Sequence, residues 1–142
     1  MVNNGIKVER AGIVGLEILD ELIGAKQRED YLDKNGVTRR RTKKLYKEIN
    51  GVNVKLSSER YPVFKRSLTC VTCGIIGSYF AIERTDKAHA ENFHLNLYAI
   101  NAEGEEVLMT KDHITAKYNG GKNSQGNYQT MCVVCNRKKG KD

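Results

Sequence analysis

Residues 107–140 read VLMTKDHITAKYNGGKNSQGNYQTMCVVCNRKKG, and the architecture expected of this chain follows from their pattern. Residues 107–114 have the composition of an extended strand, and residues 128–131 that of a second, shorter one. A loop rich in Gly, Asn and Lys separates them and runs to about residue 126. Residues 133–139 are strongly basic, and we interpret them as a helix or turn. The segment therefore predicts two strands followed by a short helical element.

A hairpin is predicted immediately upstream. Residues 93–99 alternate between apolar and polar side chains, and Asn101-Ala102-Glu103-Gly104 then interrupts the pattern before residue 107. Alternation of period two places one set of side chains on the buried face of a sheet. Residues 75–82 are mixed enough to form either a strand or a helix.

The N-terminal part is predicted to be helical. Ile13, Leu16, Leu19 and Leu22/Ile23 recur at a spacing of three to four residues, which places them on one face of a helix. We interpret residues 12–34 as an amphipathic helix that ends at Lys34-Asn35-Gly36, because Asn and Gly tolerate the left-handed backbone found after helices. Its apolar stripe is interpreted as core packing.

A concentrated basic segment follows. Its cationic residues are Arg39, Arg40, Arg41, Lys43, Lys44 and Lys47. Long cationic side chains displace counterions from a phosphate backbone, which gives affinity without sequence readout. We interpret the segment as a phosphate-contacting arm, with a solvated loop or helix face as the alternative.

Composition favours a polyanionic partner. The chain of 142 residues carries a formal net charge of +7, and its calculated isoelectric point is near 9.3. Such a surface attracts nucleic acid, although the charge could also serve solubility alone. The N-terminus resembles no secretory signal, and no apolar run approaches the roughly 20 residues of a membrane span. We expect a cytoplasmic protein, in a bacterium or a phage-infected host.

Four cysteines form two Cys-x-x-Cys pairs, Cys70/Cys73 and Cys132/Cys135. In a reducing cytosol such pairs are more often metal ligands than disulfides. Because 58 residues separate Cys73 from Cys132, the site would join distant parts of the chain. Four thiolates close the coordination sphere of Zn²⁺, so this ion would be structural. Two redox dithiols are the alternative.

The motif Asp112-His113-Ile114, Gly120-Gly121, Asn127-x-Gln129 and Cys132-x-x-Cys135-Asn136 resembles that of the HNH endonucleases. The resemblance covers residues 108–140 and implies a ββα-metal, or His-Me finger, core. Two departures are Ala116, where many members have Pro, and Asn136 in place of the last His. Asn136 still offers an oxygen to a hard cation, and Ala116 affects only the loop.

The resemblance implies a role for each motif residue. His113 is the general base that deprotonates water. Asp112 and Asn136 supply oxygens to one catalytic divalent cation, Mg²⁺ or Mn²⁺. Asn127 ties the loop to the backbone of the histidine and fixes its ring. Further phosphate contacts are expected from Lys117, Lys122, Arg137, Lys138 and Lys139. His89 and His94 lack such neighbours and are interpreted as ordinary surface residues.

The sequence thus predicts an α+β fold with a Cys₄ zinc site. Residues 1–60 are expected to form a helical and basic extension that contacts DNA, and residues 61–142 the nuclease domain. The predicted function is hydrolysis of DNA phosphodiester bonds. The alternatives are a non-catalytic, zinc-dependent nucleic-acid-binding module and, with weaker support, a thiol oxidoreductase. Pairing with a second copy or a partner protein stays open. The small basic format fits a phage or mobile-element protein by analogy.

Overall fold

The computed structural model describes residues 2–3, 6–24, 28–43, 45–85 and 92–140. The described fold is mixed, with many strands and two short α-helices. The strands are β1 (Val2–Asn3), β2 (Ile6–Val14), β3 (Arg28–Leu32), β4 (Thr38–Thr42), β5 (Tyr46–Ile49), β6 (Val52–Lys55), β7 (Gly77–Thr85), β8 (His94–Ile100), β9 (Glu106–His113) and β10 (Tyr128–Cys132). The α-helices are α1 (Arg60–Arg66) and α2 (Val133–Lys139). No helix among these residues is long and apolar enough to cross a membrane.

A six-stranded antiparallel sheet organises the molecule, in the order β1-β2-β7-β8-β9-β10. The predicted hairpin is confirmed, since β8 pairs with β9 across a turn in which Asn101 Oδ1 accepts hydrogen bonds from two backbone amides. The second strand of the motif segment and its closing helix are confirmed as β10 and α2. β3-β4 and β5-β6 form two separate two-stranded sheets, and β6 is joined to the chain just before β8 by a bridge between Val54 and Phe93.

The predicted N-terminal helix over residues 12–34 is wrong. The structure has strand β2, a 3-10 helix at Leu16–Glu21 and strand β3 in its place. Pairing of β2 with β7 supplies backbone hydrogen bonds that outweigh the helical spacing of the side chains. The register shifts at Gly12, whose φ of 138° is open to glycine and strained for other residues.

The proposed helix end at Lys34-Asn35-Gly36 is instead the turn between β3 and β4. Asp33 Oδ1 accepts hydrogen bonds from the backbone amides of Asn35 and Val37 at 2.9 Å each. Gly36 has a φ of 75°, as the turn requires. The Asn-Gly pair therefore lies in a turn with a left-handed glycine, as expected, but the turn connects two strands and does not end a helix.

The apolar core lies on one face of the large sheet. Phe80, Leu95 and Leu97 on this face are fully buried, and they belong to one cluster with Tyr61 and Phe64 of α1. The rings of Phe64 and Phe80 are 6.4 Å apart. Burying each large apolar side chain contributes about 2 kcal/mol, so this face holds α1 against the sheet.

The sheet opens between β8 and β9, and α1 fills the opening. The two strands pair only where Tyr98–Ile100 meet residues 106–108. Further along β8, the backbone amide of Leu95 donates to the Tyr61 hydroxyl at 3.1 Å, and its carbonyl accepts from Arg60 at 3.2 Å. Side chains of α1 thus replace the missing neighbour strand and satisfy buried backbone groups.

Candidate functional site

The four cysteines form one cluster, as predicted. Their sulfur atoms all lie within 4.8 Å of one another, and the Sγ atoms of Cys73 and Cys132 are 3.8 Å apart. A tetrahedral Zn²⁺ with Zn–S bonds of about 2.3 Å places its sulfurs about 3.8 Å apart. The spacing therefore fits a Cys₄ metal site.

Backbone contacts hold the two Cys-x-x-Cys turns together. The backbone amide of Val71 donates to the carbonyl of Thr130 on β10 at 3.1 Å, which attaches the first turn to the strand that carries Cys132. Cys132 is also the N-cap of α2, where its sulfur accepts from the amide of Cys135. The cluster therefore fixes α2 at the end of β10.

The electrostatics of the cluster favour a cation. Burial opposes ionisation of Cys70, but hydrogen bonds from the backbone amides of Cys73, Cys132 and Thr72 outweigh it and lower the pKa of Cys70 to about 6. Burial and the neighbouring sulfurs raise the pKa of Cys135 to about 12. Four thiolates at this spacing repel one another, and a divalent metal ion relieves that repulsion.

The Asp112-His113 pair lies at the end of β9. The residues opposite are Gln129 and Tyr128 of β10, and adjacent strand residues point to opposite faces of the sheet. Asp112 is buried, with 8% of its surface exposed. Its Oδ2 accepts hydrogen bonds from Gln129 Nε2 at 3.0 Å and from Lys139 Nζ at 2.7 Å. Lys139 also donates to the His113 carbonyl at 2.7 Å.

The imidazole of His113 is oriented by two contacts. Its Nε2 lies 2.8 Å from Oδ1 of Asn123, and its ring meets the Tyr128 ring edge-on at 5.2 Å. Tyr128 is fixed in turn by a hydrogen bond from its hydroxyl to Glu59. In the tautomer that donates from Nε2 to this amide oxygen, Nδ1 has the lone pair.

The loop after His113 is fastened by Asn127. Its side chain accepts from the Thr115 amide at 2.8 Å and donates to the carbonyls of Thr115 and Lys122. A Cβ on Gly121 would lie 1.8 Å from the Thr115 carbonyl oxygen, so the close approach requires glycine. Asn127 thus contacts the backbone two residues after His113, while its own carbonyl accepts from Ile114.

Asn136 lies in the first turn of α2 and faces β9. Its Nδ2 donates to Thr110 Oγ1 at 2.9 Å, and Thr110 donates to the Met131 carbonyl at 2.6 Å. Thr110 and Asp112 are two residues apart on β9 and therefore share a face. Asn136, Lys139 and Asp112 consequently line one junction between β9 and α2.

The structure gives positioning roles to Gln129, which the motif contained without a role, and to Asn123, which lies outside the motif. Gln129 contacts Asp112 and Asn123 contacts His113, whereas Lys139, expected to bind phosphate, is held at Asp112. These roles depend on which strand residues lie opposite one another and on the path of the loop. The loop segment Lys122-Asn123-Ser124 gave no sequence signal for such a contact.

The predicted basic arm is a hairpin with compensated charges. Arg39, Arg40 and Arg41 pair with Asp33, Asp30 and Glu29, respectively, at 2.6 to 3.2 Å. Lys43 follows β4, and Lys44 and His89 lie outside the described residues. Four further basic side chains predicted to bind phosphate are exposed: Lys117, Lys122, Arg137 and Lys138.

Comparison with known proteins points to the same segment. The family model of the HNH endonucleases matches residues 100–142, which contain β9, β10, α2 and two of the four cysteines. Neither the curated proteins nor the solved structures gave a match. Cys70 and Cys73 lie outside the matched range, and the fold brings them to it.

Proposed function

We propose that this chain is a metal-dependent endonuclease that hydrolyses DNA phosphodiester bonds. The observation that carries the proposal is the junction of β9 and α2 within the matched HNH segment, where Lys139 holds Asp112 and Asn136 donates to Thr110 on the same strand face. His113 follows Asp112 on the other face, and in this proposal the end of the strand lets both side chains reach one phosphate. In this proposal β9, β10 and α2 are the ββα-metal core, and Cys70, Cys73, Cys132 and Cys135 bind structural zinc.

The residues fit a catalytic divalent cation. Carboxylate and amide oxygens are the ligands that Mg²⁺ and Mn²⁺ prefer, and Asp112 and Asn136 supply one of each. Asp112 already has a cationic partner, since the Lys139 ammonium lies 2.7 Å from its Oδ2. When bound, the metal ion would neutralise charge on the scissile phosphate and the leaving oxygen.

His113 performs the proton transfer in this proposal. Its Nδ1 takes a proton from water as the water oxygen bonds to phosphorus, and the bond from phosphorus to the 3′ oxygen breaks. The 3′ oxygen then gains a proton from solvent, which leaves a 5′ phosphate and a 3′ hydroxyl. Asn123 and Tyr128 hold the ring, and Asn127 holds the loop that follows. Positioned general bases of this kind contribute about 10² to 10⁴ in rate.

Exposed cations would supply affinity for the DNA backbone. Those of α2 and of the loop are Arg137, Lys138, Lys117 and Lys122. The arginines of the β3-β4 hairpin are proposed to exchange their carboxylate partners for phosphates, because exposed ion pairs of this kind are weak. Binding should therefore fall steeply with salt.

Plasmid cleavage tests the proposal. Zinc-loaded protein is incubated with supercoiled plasmid in Mg²⁺, Mn²⁺ or EDTA beside His113→Ala, with zinc content and DNA affinity measured for both. We expect metal-dependent nicking or linearisation that His113→Ala loses while it still binds DNA. Tight, salt-sensitive binding without cutting in any metal would favour the alternative, a non-catalytic nucleic-acid-binding module.

The cysteine assignment has its own test, which also addresses the thiol oxidoreductase alternative. Iodoacetamide labelling before and after chelation distinguishes ligands from reactive thiols. We expect protection of all four cysteines that disappears when the metal is removed. Rapid labelling of Cys70 in the metal-loaded protein would support redox chemistry instead.

A further inference from the structure

A cavity of about 320 Å³, lined by both apolar and charged side chains, opens on the sheet face opposite the core. Its lining includes His94, Asn96 and Tyr98, which alternate along β8 with the buried core residues. Glu83 also lines it and is 1% exposed. Glu83 accepts hydrogen bonds from Asn96, Tyr98 and Arg10, so its negative charge is compensated within the fold.

Arg60 brings a positive charge to this cavity that no carboxylate compensates among the described residues. It reaches β8 at the opening between β8 and β9, where Nη1 donates to Asn96 Oδ1 at 3.0 Å and Nη2 to the Leu95 carbonyl at 3.2 Å. Both acceptors are neutral. Within the described part of the chain no carboxylate forms an ion pair with Arg60, unlike Arg10 or the arginines of the hairpin. The guanidinium is therefore held in place without a counter-charge.

Two cations, Arg60 and Lys55, act on His94 in this cavity. Burial lowers the pKa of His94, and the charges of Arg60 and Lys55 lower it further. An arginine that is fixed by neutral acceptors and has five N–H donors is suited to a phosphate group. Thr85, which also lines the cavity, adds a hydroxyl.

The cavity lies on the same sheet face as the Asp112 side chain. Leu108 lines the cavity, and Asp112 follows four residues later on β9. Residues four apart on a strand share a face and are separated by about 13 Å. Successive phosphates of one DNA strand advance about 3.4 Å along the helix axis, so a strand cut beside Asp112 can place another of its phosphates at the cavity.

We propose that this cavity binds one phosphate of the DNA strand that crosses the β9–α2 junction, with Arg60 as its principal ligand. The choice of DNA as the source of the phosphate rests on the proposed function. The contact would fix the distance between the bound strand and Asp112, and it would do so without reading sequence.

The test is the salt dependence of DNA binding, measured with a short duplex in Ca²⁺ at several KCl concentrations. Arg60→Gln removes the charge but keeps a donor for Asn96, and Thr85→Glu adds a carboxylate to the cavity while leaving Arg60 in place. Lys65→Gln removes one exposed charge from the same helix as the matched control. Circular dichroism and zinc content verify that each variant is folded.

We expect Arg60→Gln to lower the magnitude of the slope of log K against log[KCl] by about one relative to Lys65→Gln, as loss of one phosphate contact predicts. Thr85→Glu should weaken binding at low salt by about tenfold, since it neutralises the same site. Slopes and affinities equal to those of the control in both folded variants would overturn the proposal.

A second arm identifies the source of the phosphate. Inorganic phosphate is titrated while the ring signals of His94 are followed by NMR. Saturable shifts lost in Arg60→Gln, together with an unchanged DNA slope, would assign the cavity to a free phosphate compound and overturn the DNA assignment. Because no arm requires cleavage, a protein that binds DNA but does not cut would refute the proposed function and leave this test intact.

Discussion

The ammonium nitrogen of Lys139 lies 2.7 Å from Oδ2 of Asp112 and 2.7 Å from the backbone carbonyl oxygen of His113. A single cation of α2 thus bridges the last two residues of β9. Asp112 is mostly buried, and an unpaired carboxylate there would be costly. Lys139 therefore stabilises the junction in the form of the protein described here.

Replacing Lys139 with Met should strengthen binding of Mn²⁺ at the proposed catalytic site. Two cations within a few ångströms of one carboxylate repel each other by several kcal/mol at a moderate effective dielectric constant. We expect affinity to rise about tenfold or more, since even 1.4 kcal/mol of that repulsion corresponds to a factor of ten. Electron paramagnetic resonance of free Mn²⁺ in titrations of zinc-loaded protein measures it. Lys138→Met is the control. Equal affinity in Lys139→Met would contradict the predicted repulsion, and weaker affinity would mean that the lysine supports metal binding.

Replacing Glu83 with Gln should destabilise the fold. Glu83 is buried and accepts hydrogen bonds from Arg10, Asn96 and Tyr98 across three strands. The substitution removes the buried one of the two carboxylates that pair with Arg10 and leaves it with Glu106. We expect a loss of about 2 to 4 kcal/mol in the free energy of unfolding, measured by urea denaturation. Glu103→Gln, at an exposed turn, should change it by less than about 0.5 kcal/mol. A loss below about 1 kcal/mol for Glu83→Gln would contradict the importance of this network.

Protonation of His94 should destabilise the fold at acidic pH. Burial, with the charges of Arg60 and Lys55, lowers its pKa from the ordinary value of 6.5, so the unfolded chain binds a proton at a higher pH than the folded one. Stability should be intact above pH 6.5 and fall as the pH drops below it. Urea midpoints between pH 7.5 and 5.5 test this. His94→Gln should show a shallower fall, whereas parallel curves for the two proteins would refute the assignment.

Removing Asp30 should tighten DNA binding. Asp30 pairs with Arg40 at 3.2 Å, and both side chains are mostly exposed, so the pair contributes at most about 1 kcal/mol to stability. Asp30→Asn frees Arg40 for phosphate, and we expect the salt slope to steepen by up to about one. Asp20→Asn, the control, removes an exposed acid from the 3-10 helix. If both variants change binding equally, the hairpin does not contact the DNA.

The secondary structure of the motif segment was predictable because it depends on residues that are close together in sequence. The spacing from Asp112 to Asn136 and the alternation around it predicted β9, β10 and α2, since each depends on neighbouring residues and short loops. The N-terminal part was not predictable in this way. Ile13, Leu16 and Leu19 have helical spacing, but β2 exists because β7 lies beside it, and that partner is about 70 residues away.

The sequence by itself determined which residue types are available to the candidate sites: four cysteines in two pairs, and an Asp, a His and two Asn at the spacing of a known motif. These are properties of residue chemistry and short-range order. Only the tertiary structure decided which groups meet, because pairing in an antiparallel sheet joins residues far apart in sequence. It brought Cys70 and Cys73 to Cys132 and placed carboxylates beside the hairpin arginines. Among the described residues it gave Arg60 neutral hydrogen-bond acceptors and no carboxylate partner.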